Sequence, residues 1–342
     1  MANITTLSNS GQATAVANGN ASGGANDLFL KVFSGEILTQ FEEAAVMKPL
    51  HTIRTISSGK SASFAVTGIA SAKYHSPGQD IMTQSNGYLS DIKHNEKIIN
   101  IDDVLISSTF VPRISELKNH YDVRSIYAKE LGKALAKRFD LAVMKTWVAA
   151  ARTATPNVFG GKAGISVDTN NALDTPTEII EALFTMAQRL DENDVPNDGA
   201  RFAILQPTQY YKLLTSDNVA INRDNDGSGS VSKGTVPSVA GIKLYKSNHL
   251  ADLKGLGAEA NQDQDDDNTA NDVFGGNGTG YNGDLSDTGI IGGHPAAVGT
   301  VKLLDLATES DYSVSHQGTL FLAKYALGHG ILRQECAAEI RL

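Results

Sequence analysis

Three short stretches of this chain, and its scattered histidines and single cysteine, carry residue types that could do chemistry. Ser58, Gly59, Lys60 and Ser61 read like the end of a phosphate-binding loop, in which glycines let backbone N–H groups approach phosphate and the lysine supplies a cation. The glycine that opens such a loop would fall at position 54, which is Arg54, and the residues after Ser61 alternate as a strand rather than a helix. Asn222, Asp224, Asp226 and Gly227 begin as a calcium loop begins, yet its twelfth position is Lys233, where a bidentate glutamate is needed. Asp263, Asp265 and Asp267 repeat the alternation, with Asn268 in place of the turn glycine and Phe274 in place of the glutamate. Both runs read as solvated acidic loops.

The fourth signal is imidazole and thiol. The eight histidines (His51, His75, His94, His120, His249, His294, His316, His329) never form a His-x-x-x-His pair, and one cysteine cannot build a zinc cluster. Cys336 stands between Glu335 and Ala337 with no local base, and there is no Gly-x-Ser-x-Gly elbow to expose a nucleophile. Cys336 is read as a small inert thiol. The expectation is therefore no catalytic residue, no cofactor and no metal: the chain does not read as an enzyme.

Composition narrows the class further. A chain of 342 residues with 41% hydrophobic residues can bury a core, and its length suggests about two domains. A single cysteine excludes an internal disulfide and points to a reducing cytosol, and no apolar run is long enough for a membrane span or a signal-peptide core. The net charge of −9 has the wrong sign for a protein that binds nucleic acid by neutralising phosphates.

The elements that must position whatever function remains are unusual. From Ile114 to about Ala151 apolar residues recur at three-and-four spacing, including Leu117, Tyr121, Leu131, Leu135, Phe139 and Trp147, which are the expected core of one long helix. Pro112 precedes it and no proline follows until Pro156, while charges such as Lys118, Asp122, Lys129, Glu130, Lys133 and Lys137 are expected to keep the other face wet. The first 26 residues are small and polar and read as an arm; Asp27 to Phe41 has a helix-like period, ended by Pro49. Short strands follow at His51–Ile56 and Ser61–Thr67, then near Asp91–Ile101 and Val104–Val111, with the polar stretch Gly68–Ser90 between the two pairs. Such a ribbon is marginal in water by itself and should lie on another subunit.

Arg152–Thr175 reads as a linker. Thr175 then caps a helix that begins at Pro176, with Glu178 and Glu181 in its first turns and Ile179, Ile180, Leu183, Phe184, Ala187 and Leu190 as its buried stripe. Phe202–Leu205 and Ile242–Lys246 read as strands and Pro207–Leu214 as a short helix, which together suggest a mixed α/β domain. Asp252–His294 reads as one long Gly/Asp/Asn-rich loop, and ordered segments return at Val298–Leu306, Thr319–Gly328 and Glu339–Leu342, expected to pack on the long helix.

Six blocks resemble, in order, the major capsid protein of short-tailed bacteriophages of the autographivirus type. They are LFLKVFSGE (Leu28–Glu36), RTISSGKSASFAVTG (Arg54–Gly68), DIKHNEKIINID (Asp91–Asp102), LKNHYDVRSIYAKELGKALA (Leu117–Ala136), AVGTVKLLDL (Ala297–Leu306) and AKYALGHGILRQE (Ala323–Glu335). The resemblance implies an α+β fold, the head-protein fold of tailed phages and herpesviruses. In its terms residues 1–50 are an N-terminal arm and 51–111 an extended β-hairpin loop with flanking strands. Residues 112–175 are the spine helix and linker of a peripheral domain, 176–296 a mixed α/β axial domain, and 297–342 the return strands of the peripheral domain.

It also implies self-assembly as pentamers and hexamers into an icosahedral head that encloses double-stranded DNA without specific binding. The implied partners are a scaffolding protein and a portal protein, with no membrane, while the presence of a decoration protein on the outside is left open; the implied location is the virion, and the host cytoplasm during assembly. On the extended loop and helix, Arg54, Lys60, Lys73, Lys93, Lys97 and Arg124 are the candidate contacts between subunits, against the simpler reading of solvated surface charge. Two other readings stand beside this one: a cellular nanocompartment shell of the same fold, and a soluble oligomeric α/β enzyme whose Gly/Asp-rich loop is a lid.

Overall fold

A computed structural model describes residues 45–82, 92–102, 104–112, 114, 123–157, 160–169, 173–215, 234, 236, 238–251 and 285–342, with the side chains of 123–129, 215, 305–310 and 321 left aside. The expected arm up to residue 44, the start of the long helix with Leu117 and Tyr121, the ribbon tip at 83–91, both calcium-like runs and His120 lie outside the described residues. The described chain gathers into two compact units. The larger holds Ala45–Val104, Lys137–Asp305 and Tyr325–Leu342, and the smaller holds Leu105–Ala136 and Leu306–Lys324.

The larger unit is built on a six-stranded mixed sheet. Its strands are β5 (Ile165–Asp168), β6 (Phe202–Leu205), β7 (Ser238–Val239), β8 (Ile242–Lys246), β9 (Thr288–Gly293) and β12 (Ala337–Arg341), in the order β5-β12-β9-β6-β8-β7. The four side chains of β6 are all buried, as a continuous apolar run in a central strand requires. β6 runs parallel to β8, with Phe202 opposite Lys243, and antiparallel to β9, with Phe202 opposite Gly293. β12 lies antiparallel to β9 and parallel to β5.

Two of these strands correct the sequence reading. Thr288–Gly293 belongs to the stretch read as loop, yet every residue of β9 is buried. Its glycines are there because the sheet leaves no room: a Cβ on Gly292 would come within 2.6 Å of the Phe202 carbonyl oxygen and 2.8 Å of Met186 Sδ. Ile165–Asp168, read as linker, is the edge strand β5. β12, expected to pack on the long helix, meets it from within the six-stranded sheet, through Glu339.

Helix α2 (Pro176–Glu192) covers this sheet. The Thr175 hydroxyl accepts from the Glu178 N–H at 3.3 Å while the Glu178 carboxylate accepts from the Thr175 N–H, a complete capping box. Ile179, Ala182, Leu183, Met186, Ala187 and Leu190 form the buried face; Phe184, expected there, points outward at 57% exposure. The stripe rotates toward Ala182 and Met186, and Ile180 is only half-buried. Helix α3 (Pro207–Thr215) packs beside α2, and Tyr210 donates its hydroxyl to the Val236 carbonyl while accepting the Val236 N–H.

The long helix α1 (Val123–Arg152) has 30 described residues, about 45 Å at 1.5 Å per residue. In the smaller unit Leu135 is buried and Leu131 half-buried, and Lys133 pairs with Glu130 at 2.9 Å. From Phe139 to Ala151 every residue but Ala142 is buried, so the wet face expected from the helix's charges ends at the exposed Lys137: Asp140, Lys145 and Thr146 are as buried as Phe139 and Trp147. Trp147 packs edge-on against Phe202 at 5.0 Å and donates its Nε1 hydrogen to the Gly292 carbonyl at 2.8 Å, fixing helix to sheet.

At the end of α1, Arg152 grips the fully buried Glu339 of β12 with Nε at 2.8 Å and Nη2 at 2.7 Å, and Nη2 also reaches Asp287 at 2.7 Å. Thr288 Oγ1 donates to the same Glu339 carboxylate at 2.7 Å. Burial works against the Arg152 charge, but the hydrogen bonds and charge of Glu339 and then Asp287 outweigh it and hold the guanidinium more firmly protonated than usual.

The remaining strands are β1 (Thr52–Thr55), β2 (Ser61–Thr67), β3 (His94–Asn100), β4 (Leu105–Pro112), β10 (Val298–Ser313) and β11 (Gly318–Ile331). β1 runs parallel to β10, with Thr52 opposite Gly299, and in the smaller unit β4 neighbours β11. β1 and β2 are consecutive but do not pair, and neither do β3 and β4. The antiparallel pair is β2 with β3.

Candidate assembly surface

The candidate site is the β2–β3 ribbon. Its register puts Ala62 opposite Ile99, Phe64 opposite Lys97 and Val66 opposite Asn95, so the alternation of SASFAVT turns one face toward the body. Ile99 is the anchor of that face, gathered with Ala62, Val301 and Leu332. It seats against Gly330, where a Cβ would fall 2.7 Å from Ile99 Cγ1. The Ile101 N–H donates to the Lys60 carbonyl at 2.9 Å and the Asp102 N–H to the Leu327 carbonyl at 3.0 Å, which ties the ribbon's root to β11.

Beyond the root the ribbon runs out of burial. The Gly68 N–H donates to the Lys93 carbonyl at 2.8 Å, and residues 69–82 continue without helix or strand. Ile69, Tyr74, Ile81, Met82, Ile92 and Ile98 are all exposed; Tyr74 is as open as in a free peptide and Met82 is 76% exposed. A tight turn at Ser76–Gln79 is closed by the Gln79 N–H on the Ser76 carbonyl at 3.2 Å. The stretch had read as polar and poor in apolar residues. These isolated large side chains are spaced through Ser and Gly, and only the structure shows them exposed.

The charged candidates are placed as follows. Arg54 is exposed but turned inward along its own chain, donating Nη1 to the Ser63 carbonyl at 2.6 Å and lying 5.6 Å over the Phe64 ring. Lys60, Lys73 and Lys93 are exposed and Lys97 is half-buried on the inner face. Arg124 falls within α1 at a position whose side chain is not described. Of the expected spine core, Trp147, Leu135 and Phe139 are buried, and Leu131 is half-buried.

The residues first weighed for chemistry come apart. Ser58–Ser61 form an exposed bend between β1 and β2, with Gly59 at φ +115°. Cys336 is buried, which pushes its thiol up to about 11, far from a reactive thiolate. Among the described residues no group of His, Cys, Asp and Glu could hold a metal, and no helix is long and apolar enough to cross a membrane.

With this geometry in view, comparison with known proteins is direct. A family model described as Gp10A-like, major capsid protein, matches residues 63–341. The major capsid protein of Escherichia phage T7 is 36% identical over 331 residues, 92% of this chain and 91% of its own length. That of Enterobacteria phage T3 is 34% identical over 327 residues, again 92% and 91%. The solved capsid structure of cyanophage P-SCSP1u superimposes with a TM-score of 0.72 at 38% identity, covering 94% of this chain and 95% of the other.

Proposed function

We propose, from the premise that this chain belongs to the Gp10A-like major capsid protein family, that its exposed ribbon is the surface through which copies hold one another in the shell. The chain is a structural protein rather than an enzyme, has the fold of tailed-phage capsids, and is a virion component that oligomerises with itself. The observation that supports the ribbon's role is the set Ile69, Tyr74, Ile81 and Met82, exposed apolar side chains on the irregular stretch that continues past the β2–β3 pair. A free ribbon of this kind is marginal, and such side chains gain burial only against another molecule.

In this reading the copies group as pentamers and hexamers of an icosahedral head. Residues 1–50 serve as arm, 51–111 as extended loop, 112–175 and 297–342 as peripheral domain and 176–296 as axial domain, with β12 crossing into the axial sheet. Lys60, Lys73, Lys93, Lys97 and Arg124 supply charged contacts around the apolar set. A scaffolding protein guides closure and a portal protein occupies one vertex, with assembly in the host cytoplasm. Many weak contacts sum over a closed shell, so no single one need be strong. The net charge of −9 suits a container that encloses DNA without gripping its phosphates.

The test is a chain in which Gly68–Ser90 is replaced by a short Gly/Ser linker. It is expected to keep the circular dichroism and thermal transition of the parent while sedimenting as unassembled protein. Closed heads of normal size from that variant would refute the ribbon's role.

A further inference from the structure

The large unit holds a buried cluster of ionisable groups that neither the ribbon nor the sheet explains. Asp140 of α1 is fully buried, and its carboxylate accepts the N–H groups of Val46 and Met47 at 2.9 and 3.2 Å. His249, in the turn after β8, donates Nδ1 to the same carboxylate at 3.0 Å. One acidic group therefore joins two distant stretches of chain. The segment it holds, Ala45–His51, is anchored by the buried Met47 and Leu50 and ends at His51.

His51 donates Nδ1 to the Met47 carbonyl at 2.6 Å, and its Nε2 is buried with no hydrogen-bond partner among the described residues. Its ring lies 5.6 Å from Phe139, and 5.4 Å from the same ring stands His329 of β11, paired with Thr300 Oγ1 of β10 at 2.8 Å. Among the described residues the titratable groups facing His51 are thus Asp140 from α1 and His329 from β11, with His249 bound to Asp140; Lys48 on the segment itself is exposed.

We propose that His51, Asp140, His249 and His329 form a proton-operated latch that keeps the segment Ala45–His51 docked on the long helix and lets it go on acidification, while the six-stranded sheet stays intact. Burial lowers the proton affinity of His51, against the pull of the Met47 carbonyl and of Asp140. Burial, with the nearby His51, brings His329 down to about 3. Both rings are therefore neutral in the docked state at neutral pH. A histidine whose docked pKa is depressed stabilises docking fully above its ordinary value of about 6.5 and progressively less as pH falls below it. A cation at His51 has Phe139 beside it and a second imidazole near, with no hydrogen-bond partner for Nε2 among the described residues. Undocking exposes it to water and leaves Asp140 still paired with His249.

Hydrogen exchange of the full chain, read by mass spectrometry at about pH 7.5 and about pH 5 and corrected for the intrinsic pH dependence, tests the latch. Peptides covering Ala45–His51 are expected to lose protection by about tenfold or more on acidification, while β6 peptides hold theirs. His51→Gln keeps a donor for the Met47 carbonyl and removes the titration, so its response is expected to flatten; His329→Asn is the second variant should the first not fold. Equal protection of 45–51 at both pH values overturns the proposal. So does a loss shared equally by β6, or a full parental response in both folded variants.

Discussion

Trp147 is the residue on which the larger unit turns. Its ring is wholly buried, it meets Phe202 edge-on, and its indole N–H is matched to the Gly292 carbonyl, so helix and sheet share one side chain. Trp147→Ala should cost about 3–5 kcal/mol, lost packing and a stranded carbonyl together. Urea unfolding checks this, and a loss below about 1 kcal/mol would place the ring outside the core. That Trp147 and Phe139 are core residues was legible from helical spacing alone. Asp140 and Lys145 were not, because charge in a sequence reads as solvent-facing and only the fold supplies the partners that make burial tolerable. Arg152 and Glu339 show the same limit: their bidentate pair joins residues far apart in the chain, and neither has a local signature.

At the scale of elements, the legible features were those written in local chemistry. The Thr175 cap, Pro176 and Glu178 announce α2 before any neighbour is known, and FAIL announces a buried strand. Pairing was legible only in part: the hairpin of β2 with β3 across the polar stretch was expected, whereas β1 finds its partner in β10, settled by contacts distant in sequence. The hardest case is β9, where Gly289, Gly292 and Gly293 mimic a loop. Their smallness is a packing requirement of a crowded central strand rather than a turn signal.

This distinction has a measurable form. Gly292→Ala is expected to destabilise, since its methyl would press on the Phe202 backbone oxygen at 2.6 Å. Gly132→Ala, in α1 with open space around the added methyl, is expected to stabilise by up to about 1 kcal/mol. Thermal unfolding of the two variants side by side reads both signs; a neutral Gly292→Ala would mean that β9 is looser than its packing indicates.

For the whole molecule, function was legible where no motif was. Every candidate for phosphate, metal or nucleophilic chemistry lacked a required residue, and what remained was an arm, a long helix and a ribbon that no single chain could satisfy. A sequence that leaves elements unfinished describes a component. Its six blocks named the kind of component, and the family comparisons agree over most of the chain. The sequence did not reveal which side chains the ribbon exposes, because Ile69, Tyr74, Ile81 and Met82 carry meaning only once their surroundings are known to be water.

The most direct test is electron cryomicroscopy of particles formed when the full chain is expressed in bacteria together with the scaffolding protein of its own genome. The account predicts closed shells of this chain in which Tyr74 and Met82 of each copy are covered by a neighbouring copy. Uniform monomers or small oligomers despite the scaffold, or shells in which the ribbon touches no neighbour, would contradict it.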